Sequence, residues 1–207
     1  MNKWIDLTLL VDDSLWTFPG DTPLVKVNEK TVRENGYNLK RIDTNMHIGT
    51  HLDMPKHVYD IDEGVETIDI NKLIDKAIVI RPKIVDNIID TKDIIKHYVK
   101  DYKIVILDLN WSQYINSEKY YKHPKFDREI LQFLLDNKVE VLGMDLPSIA
   151  YNNETFLDMH KDVLKENIII IENLTNLKKL NKFVDFIALP LKIKGLDGSL
   201  IRCVAKN

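Results

Sequence analysis

His47-Ile48-Gly49-Thr50-His51-Leu52-Asp53-Met54-Pro55-Lys56-His57 is the stretch whose reading decides this chain. It holds three of the six histidines, with a carboxylate between the second and the third. His47, His51, Asp53 and His57 all fall at odd positions, and alternate residues of an extended backbone share one face. Fully extended, the run would spread four side chains too far apart for one ion, at about 3.3 Å per residue. A helix fits no better, because Asp53 would point away from His51 and Pro55 would break it. The pattern therefore predicts a strand that ends near His47, turns at Gly49-Thr50 and closes around an ion. Gly49 supplies backbone freedom for the turn, and Pro55 stiffens the exit. Imidazoles with a carboxylate suit Zn²⁺, Mn²⁺ or Fe²⁺ and are too rich in nitrogen for a dedicated Ca²⁺ or Mg²⁺ cage. The alternative is a set of surface and core histidines that share no ion. Such ligand spacing seldom arises by chance, which favours the metal.

The rest of the composition narrows the class. At 207 residues the chain suits one domain, taken here as 1–207. A hydrophobic fraction of 44% beside 29% charged residues is that of an ordinary globular protein. A net charge of −3 argues against a nucleic-acid surface. The single cysteine, Cys203, excludes an internal disulfide framework and a cysteine-rich zinc site. It lies in an apolar run, where a buried inert thiol is the expected state. Asp6 falls inside what would be the apolar core of a signal peptide over Met1–Asp6, and no apolar run approaches the length of a membrane span. The expectation is a cytoplasmic protein with no membrane partner.

Outward from the motif, Trp4 to Val11, Leu24 to Asn28 and Leu39 to Met46 read as strands. Between the first two, Trp16 to Pro23 is a rigid turn built on Pro19-Gly20. Ile68 to Ile74 gives mixed signals, and Ala77 to Ile80 is a short apolar strand. Asp90 or Thr91 caps a helix that runs to Val99, on which His97 reads as a surface residue. Lys103 to Leu107 and Val139 to Met144 read as buried strands. Phe126 to Asn137 is the strongest helix, with Asp127 and Glu129 in its first turn. Asp145 favours a turn-capping role. Lys161 to Leu164 reads as a short helix opened by His160. Ile168 to Ile171 reads as a strand covered on both faces, with Glu172 directly after it. A carboxylate there is costly unless paired or metal-bound. Phe186 to Lys194 and Leu200 to Val204 form a closing hairpin. Many short strands and about four helices make the chain mixed α/β.

The central run resembles the HxGTHxDxPxH signature of the cyclase family of metal-dependent hydrolases, which includes bacterial kynurenine formamidases and isatin hydrolases. Every fixed position is present. The resemblance continues in Pro19-Gly20-Asp21-Thr22-Pro23, Asn110-Trp111-Ser112, Asp145-Leu146-Pro147-Ser148, Ile169 to Leu177, Leu189-Pro190-Leu191 and Asp197-Gly198-Ser199. It implies a swivelling β/β/α fold, with a barrel-like mixed sheet and peripheral helices, in a homodimer or homotetramer. It also implies one or two divalent ions, zinc or else manganese. His47, His51 and Asp53 would hold one ion, and Asp53, His160 and Glu172 the second, with Glu172 able to bridge. The implied reaction is arylformamidase-like cleavage of an amide C–N bond by a metal-activated hydroxide, with His57 as proton shuttle. Two alternatives accompany it: lactam or cyclic imide ring opening of the isatin hydrolase type, and a metal-binding protein without turnover. The intact His57 argues against the last. In the formamidases a tryptophan that lines the substrate site precedes Pro-Gly. Here that position is Phe18, an aromatic wall without the indole N–H, which points to a small flat amide or lactam rather than N-formylkynurenine.

Overall fold

The computed structural model describes residues 3–152, 154–155 and 157–207, so the first two positions of the Met1–Asp6 reading lie outside the described residues. In chain order, β1 (Ile5–Asp6) leads through a long loop to the hairpin of β2 (Val25–Lys30) and β3 (Leu39–Asp43), with the helical turn α1 (Val32–Asn35) at its tip. Then come β4 (His51–Asp53), β5 (Ile74–Ile80), β6 (Ile84–Val85), β7 (Ile88–Ile89), α2 (Thr91–His97), β8 (Ile104–Leu107) and α3 (Glu118–Tyr121). The second half holds β9 (Lys125–Phe126), α4 (Glu129–Asp136), β10 (Val141–Met144), α5 (Asp158–Lys165), β11 (Ile169–Glu172), β12 (Phe183–Pro190) and β13 (Gly198–Lys206).

Seven strands close into a barrel in the order β13-β12-β5-β8-β10-β11-β4, with β4 pairing back onto β13. β5, β8, β10 and β11 run parallel to one another, and β4, β12 and β13 complete the ring through antiparallel pairings. β1 pairs with the far end of β13. The aliphatic runs of the parallel strands are buried on both faces, as parallel sheets require. Alternate residues divide them between two cores. Val79, Ile106, Val141, Ile171, Phe186 and Cys203 fill the barrel interior. Ile78, Ile80, Val105, Leu142 and Ile170 face outward against the apolar sides of α2, α4 and α5, which contribute Ile94, Ile130, Phe133, Leu134 and Val163. The expected mixed α/β barrel with peripheral helices is the observed fold.

Several elements differ from their sequence expectation. Only Ile5–Asp6 of the expected strand Trp4–Val11 joins the sheet. The metal motif does not end a strand: β3 stops at Asp43, a turn carries His47, and the strand is His51–Asp53 itself. Gly49 supplies the turn as expected, at φ +61°. Within Ile68–Ile74 only Ile70–Leu73 forms a 3₁₀ turn, and Ile74 already opens β5; a separate 3₁₀ turn, Val65–Thr67, precedes the segment. α4 begins at Glu129 rather than Phe126, because Lys125–Phe126 pairs as β9 with β7; Asp127, between β9 and α4, accepts a hydrogen bond from the Thr91 hydroxyl at 2.8 Å. Asp90 caps α2 through the backbone N–H groups of Lys92 and Asp93. Among the described residues no helix is long and apolar enough to cross a membrane.

Asp145, at the end of β10, fastens the loop after β8. Its Oδ1 accepts the Leu109 N–H at 3.0 Å, and its Oδ2 accepts those of Trp111 at 2.6 Å and Ser112 at 3.0 Å. Burial pushes its carboxyl up to about 6 against the pull of these donors. Asp145→Ala strands all three N–H groups, at about 1–3 kcal/mol for each unsatisfied donor. Urea unfolding should therefore show a loss of about 3 kcal/mol or more. A loss under about 1 kcal/mol would mean that water or side chains satisfy the loop instead.

Candidate metal centre

β4 is three residues long and lies between β11 and β13, where alternation decides what each residue meets. Leu52 points into the barrel core. His51 and Asp53 therefore point out through the wall, together with Glu172, which is paired in register with His51. A buried helix face covers that side: α5 presents His160 there with Met159, Val163 and Leu164. His47 reaches the same spot from the preceding turn. Its ring lies over Gly198, where an added Cβ would come 2.9 Å from His47 Cε1 and 2.7 Å from the Leu52 carbonyl oxygen. The turn itself is close-packed, since a Cβ on Gly49 would stand 2.6 Å from Val11 Cγ2.

The side chains converge on Asp53. Its Oδ1 lies 2.9 Å from His47 Nδ1 and 3.4 Å from His51 Nε2, and its Oδ2 lies 3.8 Å from His160 Nε2. Glu172 spans the same pair of rings, with Oε2 3.5 Å from His51 Nε2 and Oε1 3.4 Å from His160 Nε2. The backbone N–H of Ile149 donates to Glu172 Oε1 at 3.0 Å. His51 Nδ1 meets the Gly49 carbonyl at 2.9 Å, which puts the ring proton there and turns Nε2 to the carboxylates. All five residues predicted as ligands are thus in one place, with more than a hundred residues between the halves. His51, Asp53, His160 and Glu172 are each no more than 3% exposed.

Such a cluster is expensive in a protein interior unless the charges are compensated. Burial opposes the charged imidazolium of His47, yet Asp197 and Asp53 prevail and raise it to about 10. Burial likewise opposes His51, and Asp53 and Glu172 raise it. Burial pushes the Asp53 carboxyl up, but His47 and His51 hold it well below the usual carboxylate range. Even so, Asp53 Oδ2 is buried with no hydrogen-bond partner. A buried carboxylate oxygen without a donor, facing imidazole nitrogens, is what a cation site requires. His51, Asp53 and Glu172 bring ligand atoms within 4.8 Å of one another, and so do His47, Asp53 and His57.

His57 closes the 3₁₀ turn Pro55–His57, with its ring centroid 4.1 Å from that of His47 and 5.8 Å from that of His160. The residue not anticipated here is Asp197. Its Oδ2 is 2.9 Å from His47 Nε2 and 3.5 Å from His57 Nδ1. Its sequence signals were the family resemblance of Asp197-Gly198-Ser199 and its place in that turn, where aspartate is unremarkable, and neither assigned it to the centre. Phe18 sits in the cavity beside His47, with Trp16, Tyr120, Tyr121, Pro147 and Asn173. Its ring meets Tyr121 edge-on at 5.8 Å. Tyr121 donates to the Thr17 carbonyl at 2.7 Å, and Asn116 accepts the Trp16 N–H at 3.0 Å, so that wall is fastened at two points. Tyr120 donates to Asn173 Oδ1 at 2.8 Å. Tyr114 instead packs on Trp111, away from the cavity.

A mixed barrel with imidazoles and carboxylates gathered on its outer wall defines a cation-holding scaffold. The chain belongs to the family described as "Putative cyclase", which it matches over residues 5–151. It is 27% identical to the kynurenine formamidase of Bacillus cytotoxicus, an alignment covering 99% of this chain and 98% of that protein. A potential metal-dependent hydrolase with cyclase activity superimposes at a TM-score of 0.84, with 21% identity and coverage of 100% and 98%. An isatin hydrolase bound to the product analogue thioisatinate gives 0.84 at 20% identity, covering 99% of this chain and 92% of that one.

One consequence is a proton count. With His47 raised to about 10, its ring favours the doubly protonated form at pH 8, and one proton would have to leave for a nitrogen to serve as ligand. Zn²⁺ uptake at pH 8 should release at least one proton, so the calorimetric enthalpy should follow the ionisation enthalpy of the buffer. The apparent affinity should climb between pH 7 and pH 9. An enthalpy independent of buffer would contradict this arrangement.

Proposed function

We propose that this protein is a metal-dependent hydrolase that cleaves the C–N bond of a small aromatic amide, an arylformamidase-like reaction. The observation that carries the reading is the convergence of His47, His51, His160 and Glu172 around Asp53, whose Oδ2 is buried with no hydrogen-bond partner, next to a further histidine and an aromatic cavity. His47, His51 and Asp53 are assigned to one ion, and Asp53, His160 and Glu172 to a second, with Glu172 reaching both. The placement of each carboxylate between two imidazoles supports sharing. Zinc is the proposed ion, with manganese as the alternative. A divalent ion bound there supplies Lewis acidity and acidifies water.

The chain's own residues supply the rest. His57 is assigned proton transfer: it stands beside the cluster, and an imidazole both accepts a proton and returns one near neutral pH. Phe18 and Tyr121 offer aromatic surface to a flat substrate. Phe18 carries no donor, so this wall selects by shape rather than by a hydrogen bond. That favours a substrate with no polar group on this side and leaves ring opening of a lactam as the second reading.

Residues 1–207 are read as one domain, since β1 and β4 both pair with the C-terminal strand β13. Self-association into a homodimer or larger assembly is also proposed. Its support is the β2–β3 hairpin, which is exposed along both strands and carries Val25, Leu39 and Ile42 in the open. A two-stranded hairpin standing alone is marginal in water.

Ligand and proton carrier separate by metal analysis. His51→Ala should lose metal and activity together. His57→Ala should keep its metal and lose about 10²–10⁴-fold in kcat, the usual share of general acid–base catalysis. Equal metal loss in both variants would make His57 a ligand, which its distance to His47 and Asp53 permits.

Substrate choice rests on Phe18. Across a panel of formanilides, lactams and esters, the natural protein should prefer flat apolar amides or lactams and turn over N-formylkynurenine poorly, with Phe18→Trp improving the latter. A kcat/KM on N-formylkynurenine of about 10⁴ M⁻¹s⁻¹ or more for the natural protein, within the ordinary enzyme range, would show that the missing indole does not matter.

A further inference from the structure

We infer that Asp197 is a positioning residue that holds a metal ligand and the proton carrier in one clamp, a reading that rests on the proposed metal centre. A single carboxylate oxygen, Oδ2, lies 2.9 Å from His47 Nε2 and 3.5 Å from His57 Nδ1. The two ring centroids are 4.1 Å apart with their planes tilted by 38°, so they present neighbouring nitrogens to the same acceptor. The carboxylate accepts the Nε2–H of His47. This leaves Nδ1 as the nitrogen that faces Asp53 Oδ1, at 2.9 Å. A ring that donates one N–H to a carboxylate and turns its other nitrogen to an ion has its tautomer and its orientation fixed together. The contact to His57 is long for a hydrogen bond and sets the ring's direction by charge. It draws Nδ1 towards Asp197 and reserves Nε2 for proton exchange.

The backbone around Asp197 is built for this placement. Its carbonyl accepts the Met54 N–H at 3.0 Å, which ties it to the residue after Asp53. Gly198, next in the chain, pairs in register with Asp53 and leaves the space that the His47 ring occupies. The clamp is therefore referenced to the same ladder that positions Asp53. Asp197 itself stands at the rim, with 43% of its side chain exposed, so it is open to substitution without a core defect.

The test compares Asp197→Asn and Asp197→Ala with the natural protein. Zn²⁺ affinity is measured by chelator competition, and the tautomers of His47 and His57 are read from long-range ¹H–¹⁵N correlation spectra of the Zn²⁺-loaded proteins. Loss of an outer carboxylate of this kind costs about 10–100-fold in metal affinity. Both variants should lose that much, and His57 should shift from one tautomer to a mixture. On the best amide of the panel, kcat should fall with KM nearly unchanged. Asp197→Ala placed on a His57→Ala background should cost little further kcat while still costing metal affinity. Variants within about threefold of natural affinity with an unchanged His57 tautomer would overturn the assignment of Asp197 alone. A natural protein that takes up no Zn²⁺ would overturn the metal centre and this inference with it.

Discussion

The three-residue strand His51–Asp53 is the constraint on which the rest depends. It closes the barrel by pairing with β11 on one edge and β13 on the other. Its hydrogen bonds fix a register in which His51 faces Glu172 and Asp53 faces Gly198. Because side chains alternate, a slip of one residue would send Leu52 into the polar cluster and Asp53 into the apolar interior. Barrel closure and assembly of the centre are thus one event. The polar residues could not be placed by a looser element without giving up the aliphatic packing behind them.

Electrostatics explain why the cluster stands on the outer wall. The barrel interior is filled by apolar side chains such as Leu52, Ile106, Ile171 and Phe186, which offer no compensating charge. Outside, α5 brings His160, the turn before β4 brings His47, and the β12–β13 turn brings Asp197. Each carboxylate then meets imidazoles, and each imidazole a carboxylate or carbonyl. Protons can hold this balance, and a divalent cation would hold it equally. Breaking up one partner would leave an uncompensated buried charge, which is far costlier than the loss of an exposed pair.

Much of this was legible in the sequence, for definable reasons. The aliphatic runs around Val105, Leu142 and Ile170 declare buried strands by composition alone, and the His47–His57 run declares its chemistry by spacing. That His160 and Glu172 belong with it came from resemblance, because a histidine and a glutamate twelve positions apart carry no such information. Asp197 was not legible as part of the site. Its role depends on a long-range pairing of β13 with β4, and an aspartate before glycine looks like any turn. Element ends also shifted where long-range pairing claimed terminal residues, as with Phe126, which joins β9 ahead of α4.

The expected strand Trp4–Val11 shows how such a shift serves the site. Its composition favours a ladder, yet pairing ends at Asp6, although the Leu7 N–H still reaches the Cys203 carbonyl at 2.9 Å. From there Thr50, inside the metal motif, takes over as partner. Its hydroxyl oxygen accepts the Leu9 N–H at 2.8 Å, and its O–H donates to the Asn173 carbonyl at 2.6 Å. A side chain of the motif thus replaces a neighbouring strand and binds the first segment to the residue after Glu172. The chain is then free to leave the sheet and lay Leu15, Trp16 and Phe18 along the cavity beside His47. Had the strand continued, those residues would have been committed to the barrel's edge. The hydroxyl of Thr50 therefore links the part of the chain that carries the candidate ligands to the part that lines the cavity beside them.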